Sequence, residues 1–163
     1  MRVGTIATAA FVVVASQALA QNQPAVLIAP KTISLDAAHQ LEKTTLDACR
    51  KNGFDVTVIV LDRNGRTRVI LHDDKANPHT MENARRKAYT SLTFRVNTME
   101  YGKRFTGDAR PPMLDGITTA AGGMVIKAGN DVVGSVGVSG APGGDKDQAC
   151  AEAGLATIAD GLK

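Results

Sequence analysis

The sequence has few aromatic residues and almost no surplus of charge. It contains no tryptophan, two tyrosines and four phenylalanines, so a hydrophobic core has to be built mainly from valine, isoleucine, leucine and alanine. Nineteen lysines and arginines stand against sixteen aspartates and glutamates, which gives a formal net charge of +3. Because this surplus is far too small for a basic nucleic-acid-binding face, no nucleic-acid partner is expected.

The sequence also lacks the motifs that mark several classes of enzyme. It has no CxxCH, which excludes covalent c-type haem, and its glycine-rich segment has neither a P-loop ending nor a strand-linked GxGxxG. There is no paired-carboxylate motif, Ser-His-Asp set or metal-ligand spacing, and neither cysteine lies in a motif that would activate it. These absences favour a binding protein over an enzyme.

The apolar run at the N terminus has the organisation of a secretory signal peptide. Arg2 supplies the positive charge, residues 6–15 form an apolar stretch too short to span a membrane comfortably, and Ala18-Leu19-Ala20 matches a small-x-small cleavage site. A retained membrane anchor is the competing interpretation. Cleavage before Gln21 would leave 143 residues, enough for one domain. We therefore expect a periplasmic or secreted protein with no stable membrane insertion.

The remaining chain divides into an extension and one domain. Residues 21–33 are polar and contain proline, and their apolar patch at residues 26–28 is either part of a tail or an edge strand. From Ser34 the pattern becomes helical, with Ser34 as the N-cap. We therefore assign residues 1–20 to the signal peptide, 21–33 to the extension and 34–163 to the domain.

Apolar periodicity predicts an α+β fold. Helices are expected over residues 35–51, from about residue 80, as one turn before residue 102, and from residue 145 or 147 onward. Strands are expected at residues 54–61, 66–71, 114–119, 124–126 and 132–138. Because short turns such as Asn64-Gly65 join consecutive strands, the sheet should be antiparallel, with the apolar helices covering one face.

A glycine-rich turn joins the last strand to the last helix. It contains Ser139, Gly140, Gly143 and Gly144. Such a turn can hold an anion, because free backbone amides and the positive end of the helix point into one space. The alternative is a tight structural turn that lets the helix pack closely.

Five motifs follow one another along the chain: Asp62-x-x-Gly65, Arg85-Arg86-Lys87-Ala88, Gly122-Gly123, Val133-Gly134-Ser135-Val136-Gly137-Val138-Ser139-Gly140 and Cys150-Ala151-x-x-Gly154-Leu155. Their order resembles the GlcG/HbpS family, which includes the C-terminal domain of PduO. The resemblance covers nearly the whole mature chain. It implies a profilin-like fold, in which helices pack on an antiparallel sheet of about five strands, and assembly as a homo-oligomer.

The same resemblance implies a haem ligand, since exported members related to HbpS bind haem and some degrade it or serve a redox sensor. We therefore expect non-covalent haem as cofactor and an exported or membrane sensor as a further partner. Haem iron takes a histidine nitrogen as axial ligand, so His39, His72 and His79 are the candidates. Arg86 and Lys87 would clamp carboxylates of the ligand or of a neighbouring subunit, unless they form a solvated helix face. No metal beyond haem iron is expected.

The sequence departs from the family pattern in two places. Residues 72–76 read His-Asp-Asp-Lys-Ala where relatives usually carry an arginine followed by Asp-Gly-Ala, and Gln148 follows Asp147 where they usually carry a glutamate. The first departure either adds a metal-ligating imidazole or removes a ligand-binding guanidinium.

The two cysteines admit two interpretations. Cys49 lies near the end of the first predicted helix and Cys150 near the start of the last, both on apolar stripes. In a profilin-like arrangement these helices can be neighbours, and an oxidising compartment would favour a disulfide. Free buried cysteines would pack equally well as small apolar residues.

Three hypotheses of function follow from the sequence. The first is an exported haem-binding oligomer, with low-turnover haem degradation as an additional activity. The second is an enzyme or accessory protein that acts on a small anionic metabolite, using the glycine-rich turn together with Arg85, Arg86 or Lys87. The third is a protein-interaction module without a small ligand.

Overall fold

The computed structural model describes residues 27–163, so the predicted signal peptide and residues 21–26 of the extension lie outside the described residues. The order of elements is α1 (Leu35–Lys51), β1 (Thr57–Asp62), β2 (Thr67–His72), α2 (His79–Phe94), α3 (Thr98–Gly102), β3 (Gly123–Ala128), β4 (Asp131–Ser139), α4 (Gly144–Ala156) and a 3-10 helix (Ala159–Leu162). Residues Lys31–Lys163 form one compact unit. In this part of the chain, every helix is too short or too polar to cross a membrane.

The predicted α+β fold with an antiparallel sheet is confirmed. The strands lie in the order β2-β1-β4-β3, and every neighbouring pair is antiparallel. All six residues of β1 are buried, because β1 lies between two strands and its side chains pack into the cores on both faces of the sheet, whereas the edge strand β2 is largely exposed. The hairpin at Asn64-Gly65 joins them as predicted, with Gly65 at a φ of 78°.

The described residues contain four strands rather than about five. The segment 114–119, predicted as a strand, is a loop in which the Ile117 amide donates to the Leu114 carbonyl and closes a turn. Leu114 is exposed and Ile117 is only partly buried, so neither apolar side chain of this segment is fully buried against the sheet. Residues 27 and 28 of the apolar patch in the extension are also not in a strand.

The helices cover both faces of the sheet rather than one. Helices α1 and α4 pack on the larger core, to which Val58, Val136 and Ile126 contribute. Helix α2 packs on the opposite face, against β4, β3 and β1, through a smaller core that includes Ala84 and Ala88. The prediction of a single covered face is wrong because β1 alternates apolar side chains toward both layers.

Glycine in β4 is what lets α2 lie so close to the sheet. A Cβ atom added to Gly137 would come within 2.0 Å of the Ala84 carbonyl oxygen and 2.7 Å of the Ala88 amide nitrogen. Gly137 pairs across the strands with Gly123, where a Cβ would lie 2.2 Å from the Lys87 carbonyl oxygen. The two glycines therefore let the backbone of α2 approach the backbone of the strands closely.

Candidate functional site

A cavity of about 500 Å³ opens where β4 ends, between the N-terminal ends of α2 and α4. Helix α2 contributes His79, Thr80, Asn83 and Lys87, which follow one another at helical spacing. The end of β4 and the glycine-rich turn supply Ser139, Gly140 and Ala141, and the start of α4 supplies Gly144, Asp145 and Asp147. Asn77 before α2, Met99 of α3, and Ala120 and Ala121 complete the lining described here.

A buried ion pair forms the floor of this cavity. The Lys87 ammonium lies 2.6 Å from Oδ2 of Asp147, and it also donates to the Val138 carbonyl at 2.9 Å. Lys87 is 2% exposed and Asp147 is 3% exposed. An ammonium group carries three protons, and two of them have acceptors among the described residues.

Asp147 is also tied to the glycine-rich turn. Its Oδ1 accepts a hydrogen bond from the Ala141 amide at 3.0 Å. Burial raises the pKa of Asp147, while the Lys87 charge and these two hydrogen bonds oppose that effect. One amide of the turn is therefore already satisfied by the protein's own carboxylate, and Lys87 and Asp147 largely cancel each other's charge.

The structure brings together residues from both predicted sets. His79 and Lys87, predicted to hold haem, line the same cavity as Ser139, Gly140 and Gly144, predicted to hold an anion. Gly143 is the residue immediately before α4 and is not among the lining residues.

Lys87 does not belong to a solvated helix face, which was the alternative to a carboxylate clamp, because its side chain is buried. Its two neighbours do. Arg85 and Arg86 both bind the carboxylate of Glu82 on the surface of α2, with their Nε atoms 2.9 Å from its oxygens. These hydrogen bonds lower the pKa of Glu82 to about 2. Arg86 therefore already has an intrahelical partner and is not among the cavity-lining residues.

The three histidines occupy different environments. His79 is the first residue of α2, is exposed and lines the cavity. His72 ends β2, and its Nδ1 lies 2.7 Å from Oγ1 of Thr57. His39 lies on α1, where its Nδ1 is 3.6 Å from a carboxylate oxygen of Glu42, and it is not a cavity-lining residue.

Several lining residues had no part in the sequence hypotheses. Asn83 donates a hydrogen bond from Nδ2 to Oγ of Ser139 at 2.9 Å, and Thr80 is 1% exposed. With His79 and Lys87 they form a polar stripe at helical spacing, which is the signal that could have identified them. Met99, which follows the Asn97-Thr98 start of α3, has no comparable signal in the sequence.

Cys49 lies in the last turn of α1 and Cys150 in the middle of α4, and neither residue lines the cavity. Their Sγ atoms are 2.07 Å apart and their Cα atoms 5.4 Å apart, the geometry of a disulfide. Both residues are buried, so the two helices are joined inside the larger core.

Among residues 27–163 no group of three or more histidine, cysteine, aspartate or glutamate side chains is arranged to hold a metal ion.

Comparison with known proteins identifies relatives of this chain. The crystal structure of a double mutant of HbpS from Streptomyces reticuli is 34% identical, with a TM-score of 0.79, and the alignment covers 83% of this chain and 93% of that one. A crystal structure of HbpS is 35% identical, also with a TM-score of 0.79, and the alignment covers 83% and 96%. A structure of the PduOC:haem complex is 21% identical, with a TM-score of 0.71 and coverage of 78% and 95%, a likeness of fold alone. No curated protein matches the sequence significantly.

The family match covers the part of the chain that builds both the fold and the cavity. Residues 33–156 match the family described as "Haem degrading protein HbpS-like". This range runs from just before α1 to the last residue of α4 and contains every cavity-lining residue named above. The chain therefore belongs to the HbpS-like family of haem-degrading proteins.

Proposed function

We propose that this protein binds haem non-covalently at the N-terminal end of α2. The observation that carries the proposal is that His79 lines the cavity together with Met99, while His72 is tied to the same end of α2 through Thr57 and Thr80. Imidazole nitrogen and thioether sulfur are both atoms that haem iron accepts as axial ligands. Membership of a family described as haem-degrading, and the haem complex of PduOC, support the same conclusion.

The residues around the cavity fit a haem group in size and donor chemistry. A volume of about 500 Å³ lies within the usual range of roughly 300–1,000 Å³ for ligand sites. Ala120, Ala121 and Ala141 give part of the lining an apolar character. The side-chain amides of Asn77 and Asn83 can donate to propionate oxygens. When bound, haem would supply the redox-active iron, and the protein would supply the ligand and the pocket.

A haem titration of the mature protein, Gln21 to Lys163, tests this proposal. We expect a saturable Soret band at a fixed ratio of haem to subunit. Replacing both His72 and His79 with alanine should shift that band and weaken binding, whereas His39→Ala, a histidine outside the cavity, should leave the band unchanged. Adsorption of haem without saturation would refute the proposal.

We also propose that the chain is exported, that it is cleaved before Gln21 and that it forms a homo-oligomer, with an exported or membrane sensor as a further partner. The charged start, apolar stretch and cleavage site of residues 1–20 support export. The outer edges of β2 and β3, which pair with no strand among residues 27–163, support assembly, because an open sheet edge can pair with another chain. N-terminal sequencing of the protein recovered from its host and light scattering at several concentrations test the two points separately.

The floor of the cavity favours a second candidate function, the binding of a small polar metabolite. The third ammonium proton of Lys87 and the hydroxyl proton of Ser139 have no acceptor among the described residues. Because Asp147 cancels the charge of Lys87, this floor suits a hydrogen-bond acceptor more than a strongly charged anion. Calorimetry with small hydroxy acids and their amides, using Ser139→Ala as the variant, would distinguish this candidate from haem binding. Heat that saturates with these compounds but not with haem would favour it.

A further inference from the structure

A second cavity, of about 250 Å³, lies at the C-terminal end of α2. It is lined by the end of α2, by the hairpin between β1 and β2, and by the start of β4. The two cavities share no lining residue in the described part of the chain, so this one is a separate feature of the protein. Its described lining contains no aspartate or glutamate, and its polar members are Arg63, Asn64, Tyr89, Thr93 and Arg95.

Neither of the two arginines in this lining pairs with a carboxylate among residues 27–163. The arginines of that range that do pair with a carboxylate are Arg50, Arg85 and Arg86. Residues 1–26 contain no aspartate or glutamate, so they cannot supply a carboxylate side chain either. Arg63 donates from Nη1 to the Lys31 carbonyl at 3.4 Å, which engages one of its five N–H groups. The cavity therefore carries two positive charges without an ion-pair partner in the described chain.

Arg95 occupies a backbone position at which glycine would be less strained. It ends α2 in the left-handed conformation, with a φ of 56° and a ψ of 31°. Among residues 27–163 it is the single residue other than glycine with a positive φ. Helices commonly end in this conformation at a glycine, which adopts it without a steric cost. An arginine here costs stability, as is found where a side chain serves binding rather than folding.

The hairpin that carries Arg63 is fixed in place by its own contacts. A Cβ atom added to Gly65 would lie 3.3 Å from Cε2 of Tyr89, so the tyrosine ring packs directly against the turn and holds it to α2. Oδ1 of Asp62 accepts hydrogen bonds from the amides of Asn64 and Arg66 at 2.8 Å and 3.0 Å. The acidic neighbour of Arg63 is therefore engaged with the backbone of the turn, and the cavity exists before any ligand binds.

We propose that this cavity binds a small, doubly charged oxyanion, a phosphate group or a dicarboxylate, between the guanidinium groups of Arg63 and Arg95. A guanidinium presents paired N–H donors that match two oxygens of either group. The amide of Asn64 and the hydroxyls of Tyr89 and Thr93 are further donors in the lining. The carbonyl end of α2 carries about half a negative charge, which opposes an anion but is smaller than the two positive charges. The site is independent of haem binding.

Titrations with inorganic phosphate and with malonate, followed by nitrogen–proton NMR at an ionic strength held constant with chloride, test the site. The backbone amide signals of Gly65 and Arg95 should shift to saturation with at least one anion, and the anion that saturates at the lower concentration identifies the class. Arg63→Gln and Arg95→Gln should each weaken binding by about tenfold or more. Arg110→Gln is the matched control, because Arg110 is exposed and lines neither cavity, and it should leave binding unchanged.

Arg95→Gly separates binding from folding. Because glycine relieves the left-handed conformation, this variant should unfold at a higher urea concentration than the unaltered protein and yet lose affinity for the anion. Unchanged affinity in Arg95→Gly would assign the arginine to the end of the helix alone and overturn the proposal. No saturable shift at Gly65 or Arg95 with either anion, or shifts confined to the first cavity around Gly144, would overturn it as well. The haem titration decides the proposed function separately.

Discussion

The ammonium of Lys87 and the carboxylate of Asp147 lie 2.6 Å apart, with 3% and 4% of their side chains exposed. The pair joins α2 to the first turn of α4 at the end of β4, and its hydrogen bonds to Val138 and Ala141 extend the connection to the sheet and to the glycine-rich turn. These contacts hold together three of the elements that form the cavity. The pair is therefore part of the architecture of the site as well as its floor.

Removing one partner of this pair should destabilise the protein strongly. In Lys87→Met the carboxylate of Asp147 would remain buried without its counter-charge, and we expect a loss of about 3–5 kcal/mol in the free energy of unfolding. Urea denaturation measures this loss. Lys103→Met is the matched control, because Lys103 pairs with Glu100 at the surface. Its replacement should lower the free energy of unfolding by less than about 1 kcal/mol.

The double variant Lys87→Met, Asp147→Leu separates charge burial from packing. Because it removes both charges, it should recover much of the stability lost in Lys87→Met. A double variant as unstable as the single one would mean that the hydrogen bonds to the sheet and the turn, rather than the unpaired charge, account for the loss.

Gly137 should not tolerate a side chain. In Gly137→Ala the new Cβ would collide with the backbone of α2 at Ala84 and Ala88, and backbone cannot rotate away as a flexible side chain can. We expect the free energy of unfolding, measured by urea denaturation, to fall by about 3 kcal/mol. Gly161→Ala is the control, since nothing lies within 4 Å of the added atom, and it should be nearly neutral. Equal stability of the two variants would contradict the close packing of α2.

Local patterns predicted the elements better than their arrangement. The boundaries of α1 follow from Ser34, which caps its start, and from Gly53, whose φ of 78° ends it. The layer formed by α2 could not be predicted in this way, because it rests on small residues such as Ala84 fitting against a glycine of a distant strand.

The candidate site was predicted in separate pieces. The glycine-rich turn and His79 were both identified as candidates, but nothing in the local sequence indicated that they line one cavity. Lys87 resembles its two arginine neighbours in sequence, and its burial depends on Asp147, sixty positions further along the chain. The contacts from His72 to Thr57 and from Thr57 to Thr80 likewise join residues of β1, β2 and α2, and such contacts become visible only in the folded structure.

The bond between Cys49 and Cys150 should contribute to stability. The bond joins residues that are 101 positions apart in the sequence. Replacing both cysteines with alanine should lower the free energy of unfolding by about 2–4 kcal/mol, mainly because the unfolded chain becomes less restricted. Denaturation with and without reductant checks the same effect in the unaltered protein. Alkylation in denaturant without reductant should modify neither thiol. Two modified cysteines in freshly isolated protein would contradict the pairing.

Glu42 should make stability depend on pH. It is 1% exposed, its Oε1 has no hydrogen-bond partner in residues 27–163, and burial raises its pKa from 4.5 to about 7. The unfolded chain therefore loses this proton near pH 4.5, whereas the folded chain keeps it until about pH 7. Between these values the folded state binds more protons, so the free energy of unfolding should fall as pH rises, and the loss is complete above the folded pKa.

Glu42→Gln tests this dependence, because glutamine keeps the shape of the side chain but does not titrate. Urea denaturation between about pH 5 and pH 8 should show the fall in the unaltered protein, by about 2 kcal/mol, and a flatter profile in the variant. Glu82→Gln is the control. The pKa of Glu82 is lowered to about 2, so the stability that its ionisation contributes is gained below pH 5. In Glu82→Gln, the fall in the free energy of unfolding from pH 5 to pH 8 should therefore persist. If Glu42→Gln kept the slope of the unaltered protein, the pH dependence would not arise from Glu42.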